Sequence, residues 1–381
     1  MNPEMTVSCS PGKETPRKRG RVGKFKVLSA SGGGSRVIST IIGAFEAFEQ
    51  AGIDFELLMA LSGGYGPAAS WQDGVKAARL AVRAVQTPFI SLLSWETTVF
   101  AWLWLTARRR VSERAFPETG IFGTELLGEY FAKLVPEWPK GLATAAVTAL
   151  YKKRGVILFT DEGIVEQTSS GPQLLISLEQ MKAAGRSLVG EAARATMGIP
   201  GFCTPHRLRT AERDMLVFDG VFSQEGPYLI DPIVDPKMFG YKREEILVFN
   251  VSEEGINWLT KVQDFLYWAI CRPCYLPPSP PGHRKGITIV SPIVKGFSSV
   301  NFWVGEYDKL RALLKGYEAT FATLNDTGEC SPEQYAKARA IVAEANALHK
   351  RTWWMKWLRL KKWRAQKLKE LLARHDMYDL T

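Results

Sequence analysis

Ser62 closes an apolar run, Phe55 to Leu61, and is followed at once by Gly63 and Gly64. A strand that stops at a serine among small residues can turn sharply into a helix and lift the hydroxyl above the sheet edge. That is the posture of a nucleophile activated by a base from elsewhere in the chain. One strand earlier, Lys24 to Ala30 leads into Gly32-Gly33-Gly34. A helical pattern then runs from Val37 to Ala51 and stops at Gly52, with Ile38, Ile41, Ile42, Phe45 and Phe48 at helical spacing. Backbone N–H groups at such a helix start, beside the positive end of the helix dipole, stabilise an oxyanion or a phosphate. A dinucleotide loop needs G-x-G-x-x-G, and Gly32-Gly-Gly-Ser-Arg-Val37 lacks the third glycine. An oxyanion loop followed by a serine elbow is the more economical account. By itself, Ala60-Leu-Ser-Gly-Gly64 is also compatible with a turn of no chemical consequence, since Ala60 stands where the elbow usually has its first glycine.

Other groups compete for roles. Asp219-Gly220 reads as a turn or as a base. His206, shortly before it, would suit a Ser-His-Asp triad. Tyr65 is a rival nucleophile if Ser62 is misaligned, while Glu96 and Asp161 have no partner that recommends them. With four histidines in the chain, His-based catalysis is poorly supplied. Cys271-Arg-Pro-Cys274 has metal-ligand spacing but no second pair, and five cysteines at irregular spacing suit a reducing compartment.

The elements that must position these groups run strand, glycine loop, helix, strand, sharp turn, helix. This order implies a parallel sheet and the α/β class. Further strands are expected at 155–160, 215–218, 246–251 and 287–290. From Ser331-Pro-Glu-Gln334, a capping-box start with proline at the first helical position, residues 331–374 read as one long helix or two in series. The 381 residues divide into a mobile basic tail (1–23), an α/β domain (24–325) and a C-terminal helical region (326–381).

Two ordered blocks carry a family resemblance. Ser31-Gly-Gly-Gly-Ser-Arg36, the helix ending Phe48-Glu-Gln-Ala-Gly-Ile53 and the elbow at Ser62 resemble the opening of patatin-like and cytosolic phospholipase A2-type acyl hydrolases. Ala192-Ala-Arg-Ala-Thr-Met-Gly-Ile-Pro200, Phe202-Cys-Thr-Pro205 and Val217-Phe-Asp219-Gly220 resemble that family's segment leading to its catalytic Asp-Gly. The resemblance covers about residues 25–230. It implies a three-layer sandwich around a mostly parallel sheet and a Ser62–Asp219 dyad without histidine. It also implies an oxyanion hole at Gly32, Gly33 and Gly34, and Arg36 near the lipid phosphate or the oxyanion loop. The implied activity is phospholipase A-type hydrolysis through an acyl-serine, with no cofactor and no metal. Ala60, and Pro67 just after the elbow, depart from the pattern. They leave open a catalytically inactive relative, while an acyltransferase could use the same site.

Lys and Arg number 49 against 39 Asp and Glu, a net charge of +10 that favours an anionic partner. Residues 87–107 are rich in apolar residues and tryptophan and end at Arg108-Arg-Arg110, so they read as a core helix, an interfacial segment or a membrane span. Residues 353–372 place Trp353, Trp354, Trp357, Leu358, Leu360, Ala365, Leu368, Leu371 and Leu372 on one helical face. Lys356, Arg359, Lys362, Lys367 and Lys369 fall on the other. A cationic, tryptophan-rich amphipathic helix suits an anionic phospholipid surface; a helix packed on the domain is the other reading, and nucleic acid is the weakest for want of a reading motif. No apolar signal segment opens the chain, so the expected place is the cytoplasm, peripherally on a membrane, with a homo-oligomer left open.

Overall fold

Four runs of the chain are apolar on both alternating faces: Val27–Ala30 (β1), Leu57–Ala60 (β2), Leu142–Thr148 (β3) and Ile246–Phe249 (β9). Strands buried on both sides belong in the middle of a covered sheet. The computed structural model describes residues 16–96, 120–148, 155–200, 202–210, 213–223, 225–251, 285–294, 304–352 and 361–380. In it these strands lie at the centre of a ten-stranded mixed sheet. The remaining strands are Val156–Thr160 (β4), Gly163–Thr168 (β5), Gly171–Ser177 (β6), His206–Arg209 (β7), Asp214–Asp219 (β8) and Thr288–Val290 (β10). The order is β6-β5-β4-β3-β2-β1-β9-β10, with β8 beside β3 and β7 beside β8. The pairs among β3, β2, β1, β9 and β10 are parallel, as expected from the opening. The half from β4 to β8 is antiparallel, so the sheet is mixed rather than parallel throughout.

One face of the sheet, carrying Leu28, Leu58, Ala60, Leu142 and Ala146, packs on helices. These are Gly34–Ala51 (α1), Tyr65–Gln72 (α2), Ala77–Gln86 (α3), Glu125–Leu134 (α4), Leu188–Thr196 (α5), Glu306–Asp326 (α6), Pro332–Arg351 (α7) and Lys361–Ala373 (α8). The opposite face, carrying Val27, Leu57, Met59, Ala143, Ala145 and Val248, is covered by Tyr228, Leu229, Ile230 and Ile233. The result is the α/β layering expected, with α7 and α8 following the sheet.

The described residues near both ends pack on the sheet domain. Within the basic tail, residues 16–23 are docked: Arg17 is buried, its guanidinium lies 3.2 Å from Asp54 Oδ1 and stacks 3.7 Å over the Trp71 ring. Arg21 and Val22 pair with Ile53 and Asp54. A charge buried between a carboxylate and an aromatic face has no reason to leave. At the other end, Ala365, Leu368, Leu371 and Leu372 of α8 are in the same core as α1 and α6. Arg364 is buried there too, with Nε donating to Thr352 Oγ1 at 3.1 Å and the guanidinium over the Tyr307 ring. The leucines of α8 are therefore interior, and both α7 and α8 contribute to the main core. Trp353, Trp354, Trp357, Lys356 and Arg359 lie outside the described residues, as do most of 87–107 and the Cys271–Cys274 pair. No helix among the described residues is long and apolar enough to cross a membrane.

Candidate active site

β2 and β8 approach each other head-on along a single edge of β3. β2 runs parallel to β3 with Met59 opposite Ala143, and β8 runs antiparallel with Asp219 opposite Ala146. The other edge of β3 is taken by β4, where Ala146 faces Ile157. Between the two strand ends, Gly220 comes so close to Ala145 that a Cβ would lie 2.4 Å from that carbonyl oxygen and 3.0 Å from Leu61 Cδ2. Both chains must turn away from the sheet at this point. β2 turns through Ser62, and β8 ends on Asp219.

The turn at Ser62 is strained. Ser62 has φ 51°, and Asp376 is the one other non-glycine residue with positive φ among the described residues. A left-handed L-residue places Cβ against its own carbonyl and persists only where the surroundings hold it. The elbow is a short 3-10 turn over Ser62–Gly64, and α2 begins at Tyr65. Pro67 is thus the third helical residue, inside the first turn where its missing N–H costs nothing. Ala60 is also accommodated, since its carbonyl accepts the Thr144 hydroxyl at 2.5 Å. Gly63 is required by the glycine loop, because a Cβ there would lie 2.2 Å from Gly34 O.

Asp219 is 1% exposed and Ser62 is 3% exposed. Asp219 Oδ1 accepts the Val221 amide at 3.1 Å, while Oδ2 is enclosed without a full hydrogen bond among the described residues. Burial pushes the Asp219 carboxyl up to about 7, opposed by the Ser62 hydroxyl and the Val221 amide, which favour the ionised form. Nucleophile–base hydrogen bonds are commonly long or poorly aligned before substrate binds and tighten in the complex.

The glycine loop lies against this pair. A Cβ on Gly32 would lie 1.9 Å from Val221 Cγ1 and 2.9 Å from Ser62 Cβ. Its N–H, however, donates to Pro227 O at 2.9 Å. Gly32 therefore provides space and not an oxyanion donor, which narrows the expected set to Gly33 and Gly34. Those two residues are the N-cap and first position of α1. Their amides are among those that a helix start leaves without an intrahelical acceptor. Arg36 follows the glycine loop in the first turn of α1 and is 1% exposed.

The competing groups are committed elsewhere. His206 Nε2 meets Glu191 Oε2 at 2.5 Å, and Arg186 meets the same carboxylate at 3.1 Å. No hydrogen bond joins His206 to Ser62 or Asp219 among the described residues. The Tyr65 hydroxyl donates to Val189 O at 3.2 Å, and burial raises its pKa well above the usual phenol value. Cys203 is buried, which pushes its thiol up to about 12. Glu96 accepts from Thr204, and Asp161 is an exposed turn residue. No cluster of three metal-binding side chains is present among the described residues.

Thr144 and Thr196, absent from the expected site, touch the elbow directly. The Ser62 N–H donates to Thr196 Oγ1 at 3.1 Å, and the two threonine hydroxyls are 3.0 Å apart. Thr196 lies within the second family-like block, but nothing in its spacing marks it as a partner of Ser62. A small apolar cavity of about 60 Å³ opens behind the elbow, lined by Ile38, Pro67, Ala84, Phe89, Phe131 and Met197 among others. Three of its walls start at the site: Ile38 one turn beyond Gly34, Pro67 beyond the elbow, and Met197 beside Thr196.

No protein-family profile and no curated protein sequence matches the chain. Among solved structures, it is similar to VipD from Legionella pneumophila at 10% identity, over 94% of this chain and 82% of that one, with a TM-score of 0.40. It is similar to human GIVD cytosolic phospholipase A2 at 10% identity and a TM-score of 0.41, over 82% of this chain. The same enzyme in complex with methyl gamma-linolenyl fluorophosphonate is similar at 13% identity and a TM-score of 0.36. The chain spans 60% of the human phospholipase chain. Likeness at these scores carries no weight for activity, and the fold class rests on the sheet order and layers of the chain itself.

Proposed function

We propose that the protein is a lipid acyl hydrolase of the phospholipase A type, acting through Ser62 and Asp219. The observation that carries this reading is the strained left-handed Ser62 at a strand–turn–helix elbow, facing a fully buried Asp219 across a single strand edge. A strained serine beside a carboxyl held near neutrality matches the needs of a nucleophile and its base.

In this mechanism Ser62 Oγ attacks the ester carbonyl carbon while Asp219 takes the hydroxyl proton. The amides of Gly33 and Gly34 hold the oxyanion, a contribution of about 3–4 kcal/mol. Collapse of the tetrahedral intermediate expels the alcohol, which takes the proton back from Asp219. Water then attacks the acyl-Ser62 carbonyl, with Asp219 again as base, and releases the fatty acid. The apolar cavity behind the elbow receives the first carbons of the acyl chain, and the rest follows its open side. A docking role on anionic membranes is assigned to the basic tryptophan-rich segment 353–363 and the +10 net charge.

The test is intact-mass analysis after exposure to an alkyl fluorophosphonate. One adduct per chain, mapped to Ser62 and absent from Ser62→Ala, is the expected result. An adduct elsewhere, or esterase turnover retained by purified Ser62→Ala, overturns the assignment.

A further inference from the structure

Backbone hydrogen bonds anchor the elbow on both sides of Ser62. Leu61 N–H donates to Ala30 O at 3.1 Å, and Gly64 N–H donates to Leu61 O at 2.9 Å. The exception is Ser62, whose N–H is received by the Thr196 side chain. We propose that Thr196, backed by Thr144, is a positioning residue that holds Ser62 in its left-handed conformation and so aims the nucleophile. This rests on the Ser62–Asp219 reading above.

Proton counting gives the pair a direction. Thr144 has one hydroxyl proton, and Ala60 O receives it at 2.5 Å. The same hydroxyl is shared with Thr196 Oγ1, which accepts from it at 3.0 Å. Thr196 uses its other lone pair to accept from Ser62 N–H. The chain of contacts therefore runs from Ser62 N–H through Thr196 Oγ1 and the Thr144 hydroxyl to Ala60 O. It begins and ends in the elbow, on either side of Leu61, and each link is buried. A buried relay of this kind is fully satisfied in one arrangement and leaves a buried polar group unpaired if a hydroxyl is lost.

The same short segment reaches the other half of the site. Gly198 O, two residues past Thr196, accepts the Asp219 N–H at 3.1 Å. Thr144 lies on β3 between Ala143, opposite Met59, and Ala146, opposite Asp219. The threonines thus stand where the two strand ends meet, so a change there moves the serine relative to its base. The relay also takes the Ser62 amide out of the oxyanion set, leaving that work to the glycine loop.

The test compares Thr196→Val, which keeps shape but loses the hydroxyl, with Thr196→Ser, which keeps the hydroxyl. The readouts are the rate of Ser62 labelling by the fluorophosphonate and the steady-state constants on a short soluble ester. Thr196→Val is expected to label and turn over about 10- to 100-fold more slowly, with KM within about twofold of wild type, since misaimed nucleophiles lose rate and not ground-state binding. The pH midpoint is expected to move up from near 7, because the Ser62 hydroxyl that favours the ionised Asp219 is drawn away. Thr196→Ser is expected to recover to within about threefold of wild type. Labelling of Thr196→Val at the wild-type rate, or a serine variant as slow as the valine one, overturns the proposal. Thr144→Val, which leaves the Ser62 amide bonded, is expected to be affected less than Thr196→Val. Loss of cooperative folding in both valine variants, by near-UV circular dichroism, would make the pair purely architectural and likewise overturn it. Absence of an adduct on Ser62 in the wild-type protein is the distinct result that removes the enzymatic reading itself.

Discussion

At the scale of single residues, Asp219 sets activity against stability. Its carboxyl is raised from 3.8 to about 7 in the folded chain, mainly by burial. A base must be ionised, so kcat/KM on a soluble ester should rise with pH and reach half its maximum near 7. The linkage has the opposite sign. The folded chain binds the proton more tightly than the unfolded chain, so this group stabilises fully below 3.8 and the benefit is lost as pH rises through about 7. The gap corresponds to at most about 4 kcal/mol. Asp219→Asn should therefore be inactive yet more stable than wild type at pH 8, and close to wild type at pH 4. Urea unfolding at the two pH values checks this, and an Asn variant that is less stable at pH 8 would contradict the burial argument.

At the scale of elements, β7 and α5 are joined by a cluster of His206, Glu191 and Arg186 that makes no hydrogen bond to Ser62 or Asp219 among the described residues. Although burial opposes it, His206 and then Arg186 hold the Glu191 carboxyl down at about 2. A depressed carboxyl contributes stability above its unfolded value near 4.5, and this is lost as pH falls through about 2. His206→Ala should leave ester turnover within about threefold of wild type but lower the melting temperature at pH 7, by removing a buried hydrogen-bond partner of the Glu191 carboxylate. A variant with native melting and no turnover would instead favour a histidine-based triad. The cavity walls permit a separate check. Ala84→Phe, projecting from α3 into the cavity, should cut turnover of long-chain esters at least about tenfold relative to a short one. An unchanged ratio would place the acyl chain elsewhere.

At the scale of the whole molecule, core packing and the proposed membrane contact can be separated along the C-terminal region. Leu368 and Leu372 of α8 are buried in the main core. Either, changed to Ala, should cost about 2–5 kcal/mol of stability and leave liposome binding per folded molecule unchanged. Trp353→Ala, Trp354→Ala and Trp357→Ala together should weaken sedimentation with anionic liposomes, more so in added salt, and spare hydrolysis of a soluble ester. If the tryptophan variant unfolds instead, that segment too is interior and the membrane reading fails.

Local rules were enough for much of this protein. The glycine loop, α1 with its stop at the left-handed Gly52, the turn at Ser62 and the Ser331–Gln334 capping box are each written in adjacent residues, because caps, turns and periodic faces are short-range physics. Ser62 and Asp219 were legible as candidates for the same reason, with the second block favouring Asp219 over His206. Their meeting was not legible, since it depends on β2 and β8 sharing one edge of β3. β3 itself, Leu-Ala-Thr-Ala-Ala-Val-Thr, escaped notice because alanine marks no strand until neighbours on both faces leave room only for small side chains. Long-range packing likewise diverted the Gly32 amide to Pro227, docked Arg17 against Asp54, and turned the leucines of a surface-like helix inward. Amphipathicity says that a face will be buried. Only the tertiary structure decides whether protein or lipid buries it.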